Sequence, residues 1–252
     1  MSQGFDNAAG PPPPPAPPAP PPTPSGEGGP TDAAWGPRRT IAALVAFLVV
    51  LSIEAVVVAA FDPDIDSLAA RLTLQALLAG TLLAVAFAAA RPGPGLFAPA
   101  AALGLRRPPR SWIGPMLIAY FGYIACALVI AALLAPEQED VTRALGSDEG
   151  ALGTIVAGLL IVGAAPLTEE IFFRGFLFAG LRRSTPFAVA ALISAAIWGV
   201  FHYTGEGSWG VVLQLAVFGV ALAWLYERTG SIWPTIAVHA FNNALAFTLL
   251  TS

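Results

Sequence analysis

The chain has no lysine, one cysteine and two histidines among its 252 residues, and only 11% of its residues are charged. Each shortage excludes something. The single thiol, Cys126, forbids an intrachain disulfide and a thiolate zinc cluster, and its apolar neighbours mark it as a packing or lipid-facing residue. Twelve basic residues, all arginine, against sixteen acidic ones leave a net charge of -4, and nothing in their placement points to nucleic acid. Apolar residues fill the rest. They make up 56% of the chain, with a mean hydropathy of +0.71, beyond the roughly 45–50% of a soluble domain. The composition is that of an integral membrane protein and excludes a soluble binding module.

Thirteen of the 24 prolines fall in the first 37 residues, around PPPPPAPPAPPPTPSGEGGP. Such a stretch buries no core and favours extended polyproline II. Residues 1–37 are therefore expected to be a disordered tail, open to a partner that reads proline-rich segments, and not a secretory signal. Residues 38–252 form the transmembrane domain, with accessory spans in 38–150 and a chemically richer core in 151–252.

A membrane span needs about 20 apolar residues. Seven candidates satisfy this: 40–61, 72–90, 112–134, 151–167 with a continuation to 181, 186–203, 209–226 and 231–250. The expected fold is an all-α polytopic membrane protein of about seven transmembrane helices. If the spans alternate, Arg38, Arg39, Arg91, Arg106, Arg107, Arg110, Arg182, Arg183 and Arg228 share one side, against Arg71 and Arg143 on the other. Arginine-rich loops stay in the cytoplasm, so the N-terminus is expected inside and the loops 61–71 and 136–150 outside.

The core holds adjacent acids, Glu169 and Glu170, within the apolar run GLLIVGAAPLTEEIFFRGFLF. A charged side chain at the bilayer centre costs about 2.5–3.5 kcal/mol on insertion scales, so such a pair is read first as a functional site. Pro166 followed by Thr168 predicts a helix break and an N-cap, with both acids in the first turn of the next helix. Neighbouring helical positions point about 100° apart, so the two acids divide their roles. Glu170 and Arg174, four apart with the acid first, suit a helical ion pair, which leaves Glu169 as the candidate base.

His202 ends the fifth span, with Trp198 one turn before it on the same face, and His239 and Asn243 project together from the seventh span. Glu169, His202, His239 and Asn243 could deprotonate a water, hold a divalent metal, or stabilise an oxyanion. Asn242 is read as an interhelical hydrogen-bonding residue, Glu54 as paired or partly exposed, and Gln214 as a packing residue. The small residues Gly153, Gly158, Gly163, Ala164, Ala165, Gly175 and Gly180 are expected to let helices approach closely around a cavity.

The strings Glu169-Glu170-Ile-Phe-Phe-Arg174, then His202, then His239-Ala-Phe-Asn-Asn243 resemble the three motifs of the CPBP family of intramembrane proteases, also called the CAAX prenyl protease 2 or Abi family. The likeness covers about residues 150 to 250. EExxxR and HxxxN are matched in full, whereas Trp198 stands where the FxxxH motif has phenylalanine. The resemblance implies peptide hydrolysis, with Glu169 and His202 activating the water and His239 and Asn243 either binding a metal or stabilising the oxyanion. It also implies a divalent metal, zinc, on Glu169, His202, His239 and Asn243, with Glu170, Arg174 and Trp198 in support. The expected substrate is a membrane-associated peptide or protein, and the arginine-only, alanine-rich composition points to a bacterial plasma membrane. The competing expectations are a proton-coupled transporter and a catalytically silent membrane scaffold or immunity protein.

Overall fold

The computed structural model describes residues 30, 33–61, 64, 67–91, 100–136 and 141–251. Most of the proline-rich tail, and parts of the loops 61–71 and 136–150, lie outside the described residues. Among the described residues, eight helices other than short 3-10 turns follow one another: α1 Pro37–Phe61, α2 Leu68–Ala89, α3 Ile113–Leu134, the short α4 Val141–Ala144, α5 Gly150–Arg182, α6 Phe187–Val200, α7 Trp209–Thr229 and α8 Trp233–Thr251. Among the described residues there is no strand. The protein is an all-α polytopic membrane protein.

Among the described residues, five stretches are long and apolar enough to cross a membrane: α1, α2, α3, α5 and Glu206–Thr229, which contains α7. The expected seven spans are thus five long ones and two of different character. Helix α6 is apolar but only 14 residues long, and α8 is diluted by His239, Asn242 and Asn243. Cys126 is exposed on α3. Helix α6 lies along α7, α3 packs on the other side of α7, and α1 pairs with α2. Gly199 and Gly219 make the α6–α7 contact this close. A Cβ at Gly199 would sit 2.8 Å from the Val212 carbonyl oxygen, and one at Gly219 would sit 2.8 Å from the Ala195 Cβ.

The folded body begins before residue 38. Trp35 is 1% exposed, its indole donates to the Phe176 carbonyl at 3.1 Å, and its ring stacks on Phe176 at 5.6 Å. Arg183 donates to the Ala33 carbonyl at 3.0 Å, so the stem of the tail is clamped to the end of α5. Other arginines gather at this end of the bundle. Arg39 bonds the Arg91 carbonyl at 2.8 Å, and Arg182 pairs with Glu227 at 2.8 Å.

Counting residues from this end exposes a mismatch of depth. Glu170 lies about 18 Å along α5 from Arg182, whereas His239 lies only about 10 Å from the start of α8. The difference disappears because α8 starts deep. The Ile232 N–H bonds the Gly104 carbonyl at 2.9 Å, and the neighbouring Leu103 abuts Gly175, where a Cβ would collide with the Leu103 carbonyl. Gly175 is about 10 Å along α5 from Arg182. Starting at that level, α8 brings His239 to Glu170. Gly104 itself has φ of 80° and faces the Tyr226 ring, a position no Cβ could occupy.

Candidate active site

The expected break at Pro166 does not occur. Helix α5 runs unbroken through Gly150–Arg182 because it changes register, with π-helical turns at Leu159–Ala164 and Glu170–Phe178 on either side of an α-helical Ala165–Glu169. Thr168 caps nothing. Its hydroxyl bonds back to the carbonyls of Ala164 and Ala165 at 3.0 and 3.2 Å, as a buried hydroxyl inside a helix does. The two acids therefore lie inside a continuous helix and not in the first turn of a new one.

The wide turn before the proline has a chemical consequence. Ala165 donates to the Leu160 carbonyl, five residues back. In that register the next donor would be residue 166, which has no N–H, so the Ile161 carbonyl is left without its helical partner. Asn243 of α8 supplies one, its Nδ2 donating at 2.9 Å. Freed backbone at membrane depth must be satisfied by protein, and here a side chain from the last helix does it.

Glu170 sits on the other side of the proline and is 0% exposed. Its Oε1 accepts from Arg174 Nη1 at 2.7 Å, the ion pair that the i, i+4 spacing predicts, and from His239 Nδ1 at 2.9 Å. The second contact is a correction. His239 is expected beside Glu169, yet the depth at which α8 starts delivers it to Glu170. Since a carboxylate only accepts, His239 Nδ1 carries the proton and Nε2 is the atom left for chemistry. Glu170 Oε2 and Arg174 Nη2 are buried with no hydrogen-bond partner among the described residues.

Glu169, half-buried, faces α6. Its Oε2 accepts from the indole N–H of Trp198 at 2.6 Å, a short charge-assisted bond. His202, just beyond the end of α6, directs Nδ1 at the Trp198 carbonyl at 2.9 Å. A carbonyl only accepts, so Nδ1 is the protonated nitrogen, and in the neutral ring Nε2 holds the lone pair. The Trp198 ring meets both histidines edge to face, with centroids 5.2 Å from His202 and 5.3 Å from His239. The Arg174 guanidinium lies 4.5 Å from the ring centre.

Of the four residues expected to act together, Glu169, His202 and His239 touch Trp198 and Asn243 does not join them, and no hydrogen bond links any two of the four. Glu169 and His202 meet through Trp198, His239 joins Glu170 and Arg174, and Asn243 is turned to Ile161. This bears on the expected zinc. Among the described residues, no group of three or more His, Cys, Asp or Glu side chains is placed to hold a metal ion, and the expected four donors do not converge. Trp198 is what sequence reasoning undervalued. Its spacing from His202 indicates a packed ring, but nothing in the spacing says that its N–H reaches Glu169.

Residues 151–245 match the family described as type II CAAX prenyl endopeptidase Rce1-like. Two curated proteins of Bacillus subtilis (strain 168) are similar to this chain. "Uncharacterized protein YyaK" is 26% identical over 195 residues, 75% of this chain and 63% of that protein. "Putative membrane peptidase YdiL" is 39% identical over 83 residues, 33% of this chain and 32% of that protein. The chain therefore spans less than two thirds of the length of either. No solved structure matches.

Proposed function

We propose that this chain, whose residues 151–245 match the Rce1-like family, is an intramembrane endopeptidase that hydrolyses a peptide bond in a membrane-associated peptide or protein. The observation that carries this reading is the double hold of Trp198, which leaves Glu169 Oε1 and His202 Nε2 as the two uncommitted basic atoms of neighbouring side chains. A water between them loses a proton as its oxygen attacks the scissile carbonyl. The proton then passes to the leaving nitrogen as the C–N bond breaks. His239, the other imidazole against the Trp198 ring, offers Nε2 as the donor to the oxyanion when its imidazole carries both protons, with Glu170 and Arg174 holding it in place. The second N–H of Asn243 can add to the same oxyanion.

No step runs through a metal, because the donors present do not gather for one. The same proposal takes the membrane to be a bacterial plasma membrane and the N-terminus to be cytoplasmic, a reading supported by the arginine-rich end formed by Arg39, Arg91, Arg182 and Arg183.

The test uses the purified full-length chain in lipid bicelles with a pool of fluorogenic C-terminal peptides, prenylated and unprenylated. Glu169→Gln and His202→Ala are each expected to lower kcat by about a hundredfold or more, with the melting temperature unchanged. A chelator is expected to leave kcat as it was, and its loss on chelation would put a metal at the site. Wild-type turnover by Glu169→Gln would end the mechanism built on Glu169, and absence of turnover by the wild-type chain on every peptide of the pool would leave the scaffold reading.

A further inference from the structure

We propose that Trp198 is a positioning residue of the reaction, with its indole N–H aligning Glu169 while its carbonyl sets the tautomer of His202. This rests on the hydrolase reading above and goes beyond it, since the family motif has phenylalanine at this position and no ring N–H there. Three observations carry the inference. The Nε1–Oε2 distance of 2.6 Å belongs to a strong hydrogen bond and leaves the other carboxylate oxygen for a water. The His202–Trp198 bond ties the same residue to the second basic group at 2.9 Å. Finally, the ring is 1% exposed and cannot drift, because Arg174 lies over it and Phe218, His202 and His239 surround it.

Any buried indole needs an acceptor for its N–H, so a purely structural role would also place it near an oxygen. The two roles differ in what happens when only the N–H is removed. A structural indole could lose it at some cost to stability. A positioning indole loses it at a cost to turnover, because Glu169 becomes free to rotate away from the water.

The experiment replaces Trp198 with 3-benzothienylalanine by nonsense suppression, which puts sulfur in place of the N–H and keeps the ring. The assay is the peptide pool in bicelles described above. The expected result is a fall in kcat of about tenfold to a hundredfold, the range for one hydrogen bond to a charged group. KM and the melting temperature should not change. Replacement with 5-fluorotryptophan, which retains the N–H, should restore kcat. Unchanged kcat in the benzothienyl protein overturns the proposal, and so does a rise, which would mean that the indole holds Glu169 out of service. Glu169→Gln is measured in parallel. If it is inactive while the benzothienyl protein is normal, only the role of Trp198 fails, and if it is active, the assignment of Glu169 as the base fails and the proposal with it.

Discussion

Two π-helical stretches of the same helix, five residues apart, have opposite surroundings. In Leu159–Ala164 no residue is buried and Leu159 is 68% exposed, whereas in Glu170–Phe178 all nine residues are buried. Both have widened turns and misaligned carbonyls, so the register alone does not make a site. Enclosure decides what each stretch can carry. The open one has a single polar problem, the Ile161 carbonyl, and a neutral amide solves it. The closed one holds an ion pair at membrane depth, because α6, α7 and α8 wrap it and bring Trp198, Gly219 and His239 against the charges. The accessory helices resemble the open stretch, with Ile53, Val56 and Leu128 each more than half exposed.

Breaking the closed stretch has the largest expected effect. Arg174→Ala leaves the Glu170 carboxylate buried with His239 alone, and losing one partner of a buried ion pair costs about 3–5 kcal/mol. Much of the yield of folded protein should vanish, as read by size exclusion and thermal melting in detergent. Arg174→Lys should rescue little, because an ammonium cannot lie flat on the Trp198 ring. The double variant Glu170→Gln with Arg174→Met removes both charges and retains an acceptor for His239, so it should regain most of the stability. Full stability of Arg174→Ala would show that enclosure is not what the pair depends on.

The open stretch is probed by a cycle. Asn243→Ala should cost about 1 kcal/mol, the usual scale of a hydrogen bond between membrane helices. In a Pro166→Ala background, residue 166 regains an N–H for the Ile161 carbonyl, and the same Asn243→Ala change should then cost close to nothing. The coupling is read from unfolding in mixed micelles. Equal costs in both backgrounds would detach Asn243 from the proline and assign it wholly to the oxyanion.

These contrasts also mark where the sequence is legible. The Glu170–Arg174 pair follows from one helix and a spacing of four, and no tertiary information is needed to foresee it. Sequence leaves Cys126 between packing and lipid-facing and Glu54 between pairing and partial exposure, and the tertiary structure decides both: Cys126 is exposed and Glu54 pairs with Thr81 of α2. Which histidine meets which glutamate is another matter, because it depends on how deep α8 starts. That depth is set by the Gly104–Ile232 and Leu103–Gly175 contacts between segments far apart in sequence. Pro166 misleads for a local reason. Proline ordinarily signals a break, but an extra residue in the preceding turn lets the helix carry it, and sequence periodicity does not register one residue. Trp35 was hidden by its neighbours, since thirteen prolines in the first 37 residues outweigh a single tryptophan.

The smallest expected effect lies in the accessory half, at an acid that is intramembrane and yet outside the site. Glu54 of α1 accepts from the Thr81 hydroxyl of α2 at 2.6 Å, and its other oxygen is buried without a partner among the described residues. Glu54→Gln retains an acceptor for Thr81 and should change stability by no more than about 0.5 kcal/mol, with kcat unaltered. Thr81→Val removes the donor and should cost about 0.6 kcal/mol, the average for such bonds in a membrane. Both are read by melting temperature and turnover in the same preparation. The contrast between halves rests on this outcome. A tenfold loss of kcat in a fully folded Glu54→Gln variant would mean that the accessory pair takes part in the chemistry, and enclosure would no longer separate the working acids from the idle one.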